Sequence, residues 1–399
     1  MSKRFVRTHW LLISAVLALA PVRARAETAP AEPLPLLPGL ETPVEFWKRI
    51  FGEFSVTQLV LFDPLDMSVI YDVVEVGDEN LSQREIDAHR RRVAAERNVD
   101  PDRVKAQRGI KERTAAGLRR AGRYLGQIQE IFRERGLPVE LSYLPLVESS
   151  FDINARSRAG ALGMWQFMRR TGRQFLRIDC CIDERKDPLE STRAAAELLA
   201  RNYQVLGNWP LAITAYNYGT AGMARAVAEV ESDNLVELIE RYTHPNWGYP
   251  SKNFYAEFLA AVEIARNVER YFPGLDPDPP LAVREVEVRN RTSLATLIRS
   301  TGLSRSQFFE WNPALSSSTR TVPAGYRLKL PADRRTEPVV EVRYRPADEP
   351  VIRHRVKPGE TLSRIARRYR TPVEKILEAN GIRKTSLLRA GTTLLIPKL

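Results

Sequence analysis

The sequence predicts a mainly α-helical domain followed by two small β-α-α-β modules. Three observations carry this. From about residue 105, apolar side chains recur at helical spacing, with proline and glycine at the breaks. The pattern ends at Leu275–Pro280, where three prolines crowd together. Beyond it, residues 284–331 and 353–397 repeat one layout.

Residues 1–26 have the order of a secretory signal peptide: basic Lys3, Arg4 and Arg7, an apolar run Trp10–Ala20, then Ala24-Arg25-Ala26. The run is short for a membrane span, and no cysteine near the cleavage signal offers a site for a lipid. The mature chain is expected to begin near Glu27 and to be exported. Residues 27–104 form an extension to which the sequence assigns no role. Within it, proline-rich 27–44 reads as an extended linker without a core. Phe46, Trp47, Ile50, Phe51 and Phe54 suit a short amphipathic turn-pair, Val69–Val76 a strand, and the charged stretch Arg84–Arg97 a helix.

The helical domain is expected over 105–274. Leu118, Tyr124, Leu125, Ile128, Ile131 and Phe132 recur on one face, and Gly136-Leu137-Pro138 stops that helix. Pro138 opens a second helix, a favoured place for proline, and Glu148 falls near its end. Gly160 and Gly163 mark a turn before Trp165-Gln166. Further helices are expected over Arg193–Leu206, Pro210–Tyr216 and Phe254–Tyr271.

Glu148 is the chemically informative residue. It follows four apolar residues in Leu144-Pro145-Leu146-Val147-Glu148. Desolvation disfavours the charged form of such an acid, so it can hold a proton near neutral pH and donate it. The nearest second carboxylate, Asp152, suits a cap on the next segment better than a catalytic pair, which favours chemistry run on one carboxylate rather than two.

In each repeat a β-like run (Val286–Val288; Arg353–Val356) leads into a short helix (Ser293–Ile298; Thr361–Tyr369). A second helix ends in an asparagine (Asn312; Asn380), and Ala-Gly-x-x-Leu-x-x-Pro closes each copy (Ala324–Pro331; Ala390–Pro397). The first copy lacks the Pro358-Gly359-Glu360-Thr361 entry of the second and is degenerate. Residues 332–350 link the two.

The formal net charge is +12. Residues 1–26 hold five basic residues and no acid, so the mature chain carries +7, and residues 353–399 alone carry +9. The basic character therefore belongs to the tail, and it favours an anionic wall or membrane surface over nucleic acid once export is taken into account. The histidines are scattered and call for no metal or cofactor. Cys180 and Cys181, the only cysteines, are adjacent, a spacing that strains a bridge and gives no disulfide framework. They read as thiols near a turn and offer no cysteine-nucleophile context.

Glu148-Ser149, Ser157, Gly163-Met164-Trp165-Gln166, Ala215-Tyr216-Asn217-Tyr218-Gly219 and Asn253-Phe254-Tyr255, in that order, resemble the soluble lytic transglycosylase domain, which is lysozyme-like. The tail modules resemble LysM, the second copy well. Together they are similar to the membrane-bound lytic murein transglycosylase D type. The resemblance implies cleavage of the MurNAc–GlcNAc β-1,4 bond of peptidoglycan without water, giving 1,6-anhydromuramic ends. It implies Glu148 as general acid and then base, with Ser157, Gln166, Tyr216, Asn217 and Tyr255 binding substrate or holding the acid. It also implies LysM binding to glycan, a periplasmic, wall-associated protein, association with a membrane surface, and a monomer.

Overall fold

The computed structural model describes residues 34–77, 81–333, 351–380 and 390–397. The signal-peptide reading and most of the 332–350 linker fall outside them. The chain divides into two compact units. One comprises Met1–Leu176 and Pro188–Pro280, the other Arg177–Asp187 and Leu281–Leu399.

The first unit opens with α1 (Glu41–Gly52), whose Phe46, Trp47, Ile50 and Phe51 recur at i, i+1, i+4 and i+5 and are all buried. A three-stranded antiparallel sheet follows, in the order β2 (Ile70–Glu75), β1 (Gln58–Phe62), β3 (Lys105–Arg108). Between β2 and β3 runs α2 (Gln83–Arg97), opened by a Ser82/Glu85 capping box and closed by left-handed Asn98. β1 is covered on both sides. Leu59 and Leu61 pack with Val93 and Ala94 of α2, whereas the ring of Phe62 lies 4.3 Å from that of Phe46. Thus the stretch expected to be a coreless linker is partly structured: Leu40 is buried, α1 starts at Glu41, and the Pro35 carbonyl accepts from the Tyr255 hydroxyl. Proline count argued for extension, but the aromatic face just downstream supplies the core.

The helices that follow are α3 (Lys111–Ala121), α4 (Leu125–Glu134), α5 (Leu144–Ser149), α6 (Arg169–Gly172), α7 (Pro188–Leu206), α8 (Trp209–Tyr218), α9 (Thr220–Val230), α10 (Leu235–Arg241), α11 (Tyr249–Arg266) and α12 (Val268–Tyr271). The helix expected from Pro138 is split. Val139–Tyr143 is a 3-10 turn, and α5 begins only at Leu144. Pro145 has no N–H with which to continue a helix from upstream, so it serves as the start of a new one. α9 and α10 fall in a stretch for which no helix is expected from the sequence. α11 is the central helix: α1, α5 and α8 all pack on it.

The second unit holds two modules. In the first, β4 (Val283–Glu287) pairs with β7 (Arg327–Pro331), and β5 (Thr292–Ser293) with β6 (Thr321–Val322). α13 (Leu294–Thr301) and α14 (Arg305–Trp311) lie between them in sequence. In the second, β8 (Val351–Arg355) pairs with β9 (Thr393–Pro397) around α15 (Leu362–Arg368) and α16 (Val373–Ala379). The repeated asparagine has one role in both. The Asn312 amide donates to Phe308 and Lys329 carbonyls while its oxygen accepts from the Lys329 N–H, and Asn380 does the same with Ile376 and Leu395. Each asparagine thereby ties the second helix to the closing strand.

The degenerate first module is completed by Arg177–Asp187. Ile182 enters its core and bridges Leu315, and the Asp187 carboxylate meets the buried Lys329 ammonium at 2.8 Å. In the second module the distinctive entry is used differently. Glu360 accepts from the Lys357 N–H, from His354 and from Arg368, while His354 also meets the Tyr369 hydroxyl at 3.0 Å.

Candidate active site

Glu148 stands one residue before the end of α5, which a sharp reversal terminates. Ser150 and Phe151 both take positive φ, 51° and 57°. Consecutive left-handed non-glycine residues are costly and persist where the surroundings impose them. Here Ser150 is held by Arg120, whose guanidinium donates to its carbonyl at 2.6 Å, and Phe151 is fully buried. α3 approaches α5 so closely that a Cβ on Gly117 would meet Leu146 and Ser150 at 2.9 Å. The sequence around the acid is thus fixed in place by its packing.

The Glu148 side chain is only half-buried by surface, yet it is densely surrounded. Burial, with Glu257 as a second and smaller cause, raises its carboxyl from the ordinary range to about 8. No hydrogen bond or ion pair reaches it among the described residues. An acid so placed is mostly protonated at neutral pH, which is the state a proton donor requires.

The loop after α5 folds back on it. Ser149 donates to the Met164 carbonyl at 2.8 Å, and the Gly163 N–H to the Ala155 carbonyl. Within this loop the Ser157 hydroxyl oxygen accepts from the Ala161 N–H at 2.9 Å and makes no bond to Glu148. Gln166 has a positive φ of 46° and spends its amide hydrogens on the Gly163 and Ala155 carbonyls. Its amide oxygen therefore remains an acceptor. Trp165 is buried completely, stacked on Phe132 and bonded to Thr192, and its carbonyl accepts from the Tyr216 hydroxyl at 2.8 Å. Burial and then the Glu148 charge hold the Tyr216 phenol well above its usual range. Asn217, at the end of α8, is exposed; its oxygen accepts from Ser251 at 2.7 Å, leaving its amide hydrogens available.

Tyr216 thus joins α8 to the loop after α5 through Trp165, the neighbour of Gln166, and feels the Glu148 charge, while Ser157 lies in that loop and Asn217 follows Tyr216 on α8. Tyr255 does not share their exposure. It is 1% exposed and its hydroxyl donates to the Pro35 carbonyl, so it ties α11 to the N-terminal segment rather than lining an accessible surface. The expectation of a cleft-lining tyrosine there is corrected: helical phase turns it inward. Trp209 and Trp247 are likewise buried, against Tyr203 and against Tyr218 with Tyr242. Asp152 accepts from the Asn154 N–H, a local turn bond.

Glu257 was missed. It lies on α11 between buried Ala256 and Phe258, and burial raises its carboxyl to about 8 as well. The signal was present, a lone acid in Asn253-Phe254-Tyr255-Ala256-Glu257-Phe258, and it is the same signal that singled out Glu148. In the second unit, Cys180 and Cys181 are free thiols with sulfurs 2.9 Å apart. With Asp179 they are the one group of three potential metal-ligating residues among the described residues, all at least partly exposed.

Residues 128–238 match the family described as transglycosylase SLT domain, and residues 354–397 match the LysM domain. The membrane-bound lytic murein transglycosylase D of Escherichia coli K12 is 28% identical over 296 residues, covering 69% of this chain. The chain spans 64% of that relative's length. A putative tributyltin chloride resistance protein of Alteromonas is 30% identical over 172 residues, 42% of this chain and 80% of that one. Among solved structures, the 70 kDa soluble lytic transglycosylase of E. coli is 20% identical, covering 36% of this chain and 25% of that one with a TM-score of 0.29. The chain belongs to the transglycosylase SLT family and carries a LysM domain behind the helical unit.

Proposed function

We propose that the protein is a lytic transglycosylase of peptidoglycan, with Glu148 as its acid and base. The observation that carries this reading is a carboxyl held protonated near neutral pH at the end of α5, in the segment that matches the SLT family. Protonated Glu148 donates to the glycosidic oxygen between N-acetylmuramic acid and N-acetylglucosamine, and the bond to the muramic C1 breaks. The muramic N-acetyl group stabilises the cation. The Glu148 carboxylate then takes the proton of the same sugar's C6 hydroxyl as that oxygen closes on C1, giving the 1,6-anhydro ring and returning the acid to its starting state.

Free Gln166 oxygen and Asn217 amide hydrogens serve as partners for sugar amides and hydroxyls. The Ser157 hydroxyl hydrogen is directed to the acid or to the N-acetyl group, and Tyr216 keeps the acid's surroundings in place. The LysM domain and its basic tail hold the enzyme on the glycan, which raises the local substrate concentration. Export to the periplasm, wall association and a monomeric state complete the reading.

Mass spectrometry of products from purified sacculi tests it. Muropeptides with 1,6-anhydromuramic ends, absent with Glu148→Gln, are expected. Reducing ends would mean a lysozyme-type hydrolase, and binding without release a wall-binding protein. Removing residues 353–399 is expected to weaken sacculus binding while sparing cleavage of short soluble glycans.

A further inference from the structure

We propose that Asp179, Cys180 and Cys181 bind one borderline-soft divalent ion of the zinc class, on the hairpin that completes the first tail module. The proposal goes beyond the catalytic reading and does not depend on it.

The three residues offer two sulfurs and a carboxylate oxygen, all within 4.8 Å of one another. Among the described residues no other three His, Cys, Asp or Glu side chains gather in this way. Neighbouring residues of an extended chain send their side chains to opposite faces, so adjacent thiols ordinarily diverge. Here a turn brings the sulfurs to 2.9 Å instead. The turn is firmly built. Ile178 bridges Asp183 across it, and the Asp179 N–H donates to the Ile182 carbonyl at 2.8 Å. The Cys181 carbonyl accepts from the Ser316 N–H at 2.9 Å and from the Thr319 hydroxyl at 2.7 Å, which fastens the turn to the module.

Packing does not account for the thiols. Cysteine is ordinarily among the most buried residues. In this hairpin the module's core takes Ile182 and neither cysteine; Cys180 is exposed and Cys181 half-buried. The carboxylate is oriented as ligating carboxylates are. One Asp179 oxygen accepts from the Cys181 and Ile182 N–H groups at 2.8 Å each, and the other accepts from Arg177 Nε at 2.9 Å. Hydrogen bonds of this kind aim a carboxylate at a metal and hold it there.

The donor set selects the class of ion. Two sulfurs with one carboxylate suit zinc and disfavour calcium and magnesium, which take oxygen ligands. A linear two-sulfur ion needs its ligands on opposite sides, which two neighbours on one turn do not supply. Zinc–sulfur bonds of about 2.3 Å at a tetrahedral angle set the sulfurs about 3.8 Å apart, so the pair opens by about 0.9 Å from its 2.9 Å separation, within reach of side-chain rotation. Water takes the fourth position. The bound ion pins the hairpin that carries Ile182 into the module's core and Asp187 against Lys329, so loading stabilises that module.

The test uses the full chain, reduced, with zinc as the probe in isothermal titration calorimetry. Wild type is expected to take up one zinc ion and the double variant Cys180→Ser, Cys181→Ser none. Asp179→Asn keeps an acceptor oxygen for the two N–H groups of the turn and should bind zinc more weakly. Cobalt(II) in place of zinc should show a thiolate-to-metal charge-transfer band in wild type and in Asp179→Asn, and none in the double variant. Zinc should raise the unfolding temperature of the tail module in wild type and leave the double variant unmoved. No uptake by the reduced chain, or uptake retained in the double variant, overturns the proposal. So does a chain that comes from the exporting cell as a Cys180–Cys181 disulfide, lighter by two hydrogens in the mass spectrum and indifferent to zinc.

Discussion

Replacing Glu148 by glutamine should remove activity and stabilise the protein, with a gain that grows with pH. The folded protein keeps the Glu148 proton up to about 8, whereas an unfolded chain loses it near the ordinary value of 4.5. Between those values the folded state binds more protons than the unfolded one, so stability falls as pH rises through this window. The full displacement corresponds to about 5 kcal/mol at 1.36 kcal/mol per pH unit, and the partial exposure of the side chain reduces it to about 2–3 kcal/mol. Glutamine has the same shape and no charge to desolvate. At about pH 5 the variant and wild type should be nearly equal; at about pH 9 the variant should be more stable by about 2–3 kcal/mol. Guanidinium unfolding at several pH values measures this directly. Equal stabilities at high pH, or a less stable variant there, would show that Glu148 is ordinarily solvated, and the argument for a held proton would fail. The same value of about 8 predicts that about nine-tenths of the protein carries the donor proton at pH 7 and about one-tenth at pH 9, so release should decline through that interval.

Other predictions concern the framework. Trp47→Ala removes a buried ring between α1 and α11 and the donor to Asn253, at a cost of about 3–5 kcal/mol; Leu65→Ala, 79% exposed, should change thermal unfolding little, and equal effects would refute the structural role given to the N-terminal layer. Asn312→Ala removes the side-chain bonds to the Lys329 N–H and carbonyl that tie α14 to β7 and should cost about 2 kcal/mol, seen as earlier unfolding of its module; no change would remove the clamp reading. Gly117→Ala should displace α5 through contacts at 2.9 Å and lower anhydromuropeptide release more than it lowers helix content by circular dichroism. Protonation of Glu360, whose carboxyl is held below its usual range first by the Lys357 N–H and then by His354, should loosen the second module. That contribution is present above the ordinary carboxylate pKa and lost as pH falls through the lowered one, so sacculus binding should weaken in acid.

Helix and strand positions were readable wherever local chemistry decides them. The capping box at Ser82, the asparagines closing α14 and α16, and the glycine turns before β7 and β9 each act over a few residues. Glu148 was readable because four apolar neighbours in sequence announce desolvation. What sequence could not show depends on contacts between distant segments. Proline-rich 34–40 packs because α11, more than two hundred residues on, offers Tyr255 and an apolar face. Ile182 and Asp187 complete a module that begins a hundred residues later. Tyr255 turns inward and Glu257 falls between buried neighbours because of the phase of one helix and what packs on it. Local propensity and the motif order in the chain thus determined the helical class and the acid. Only the tertiary structure decided how far that acid is desolvated, because a charge's environment is set by burial and neighbours, and both are properties of the packed chain.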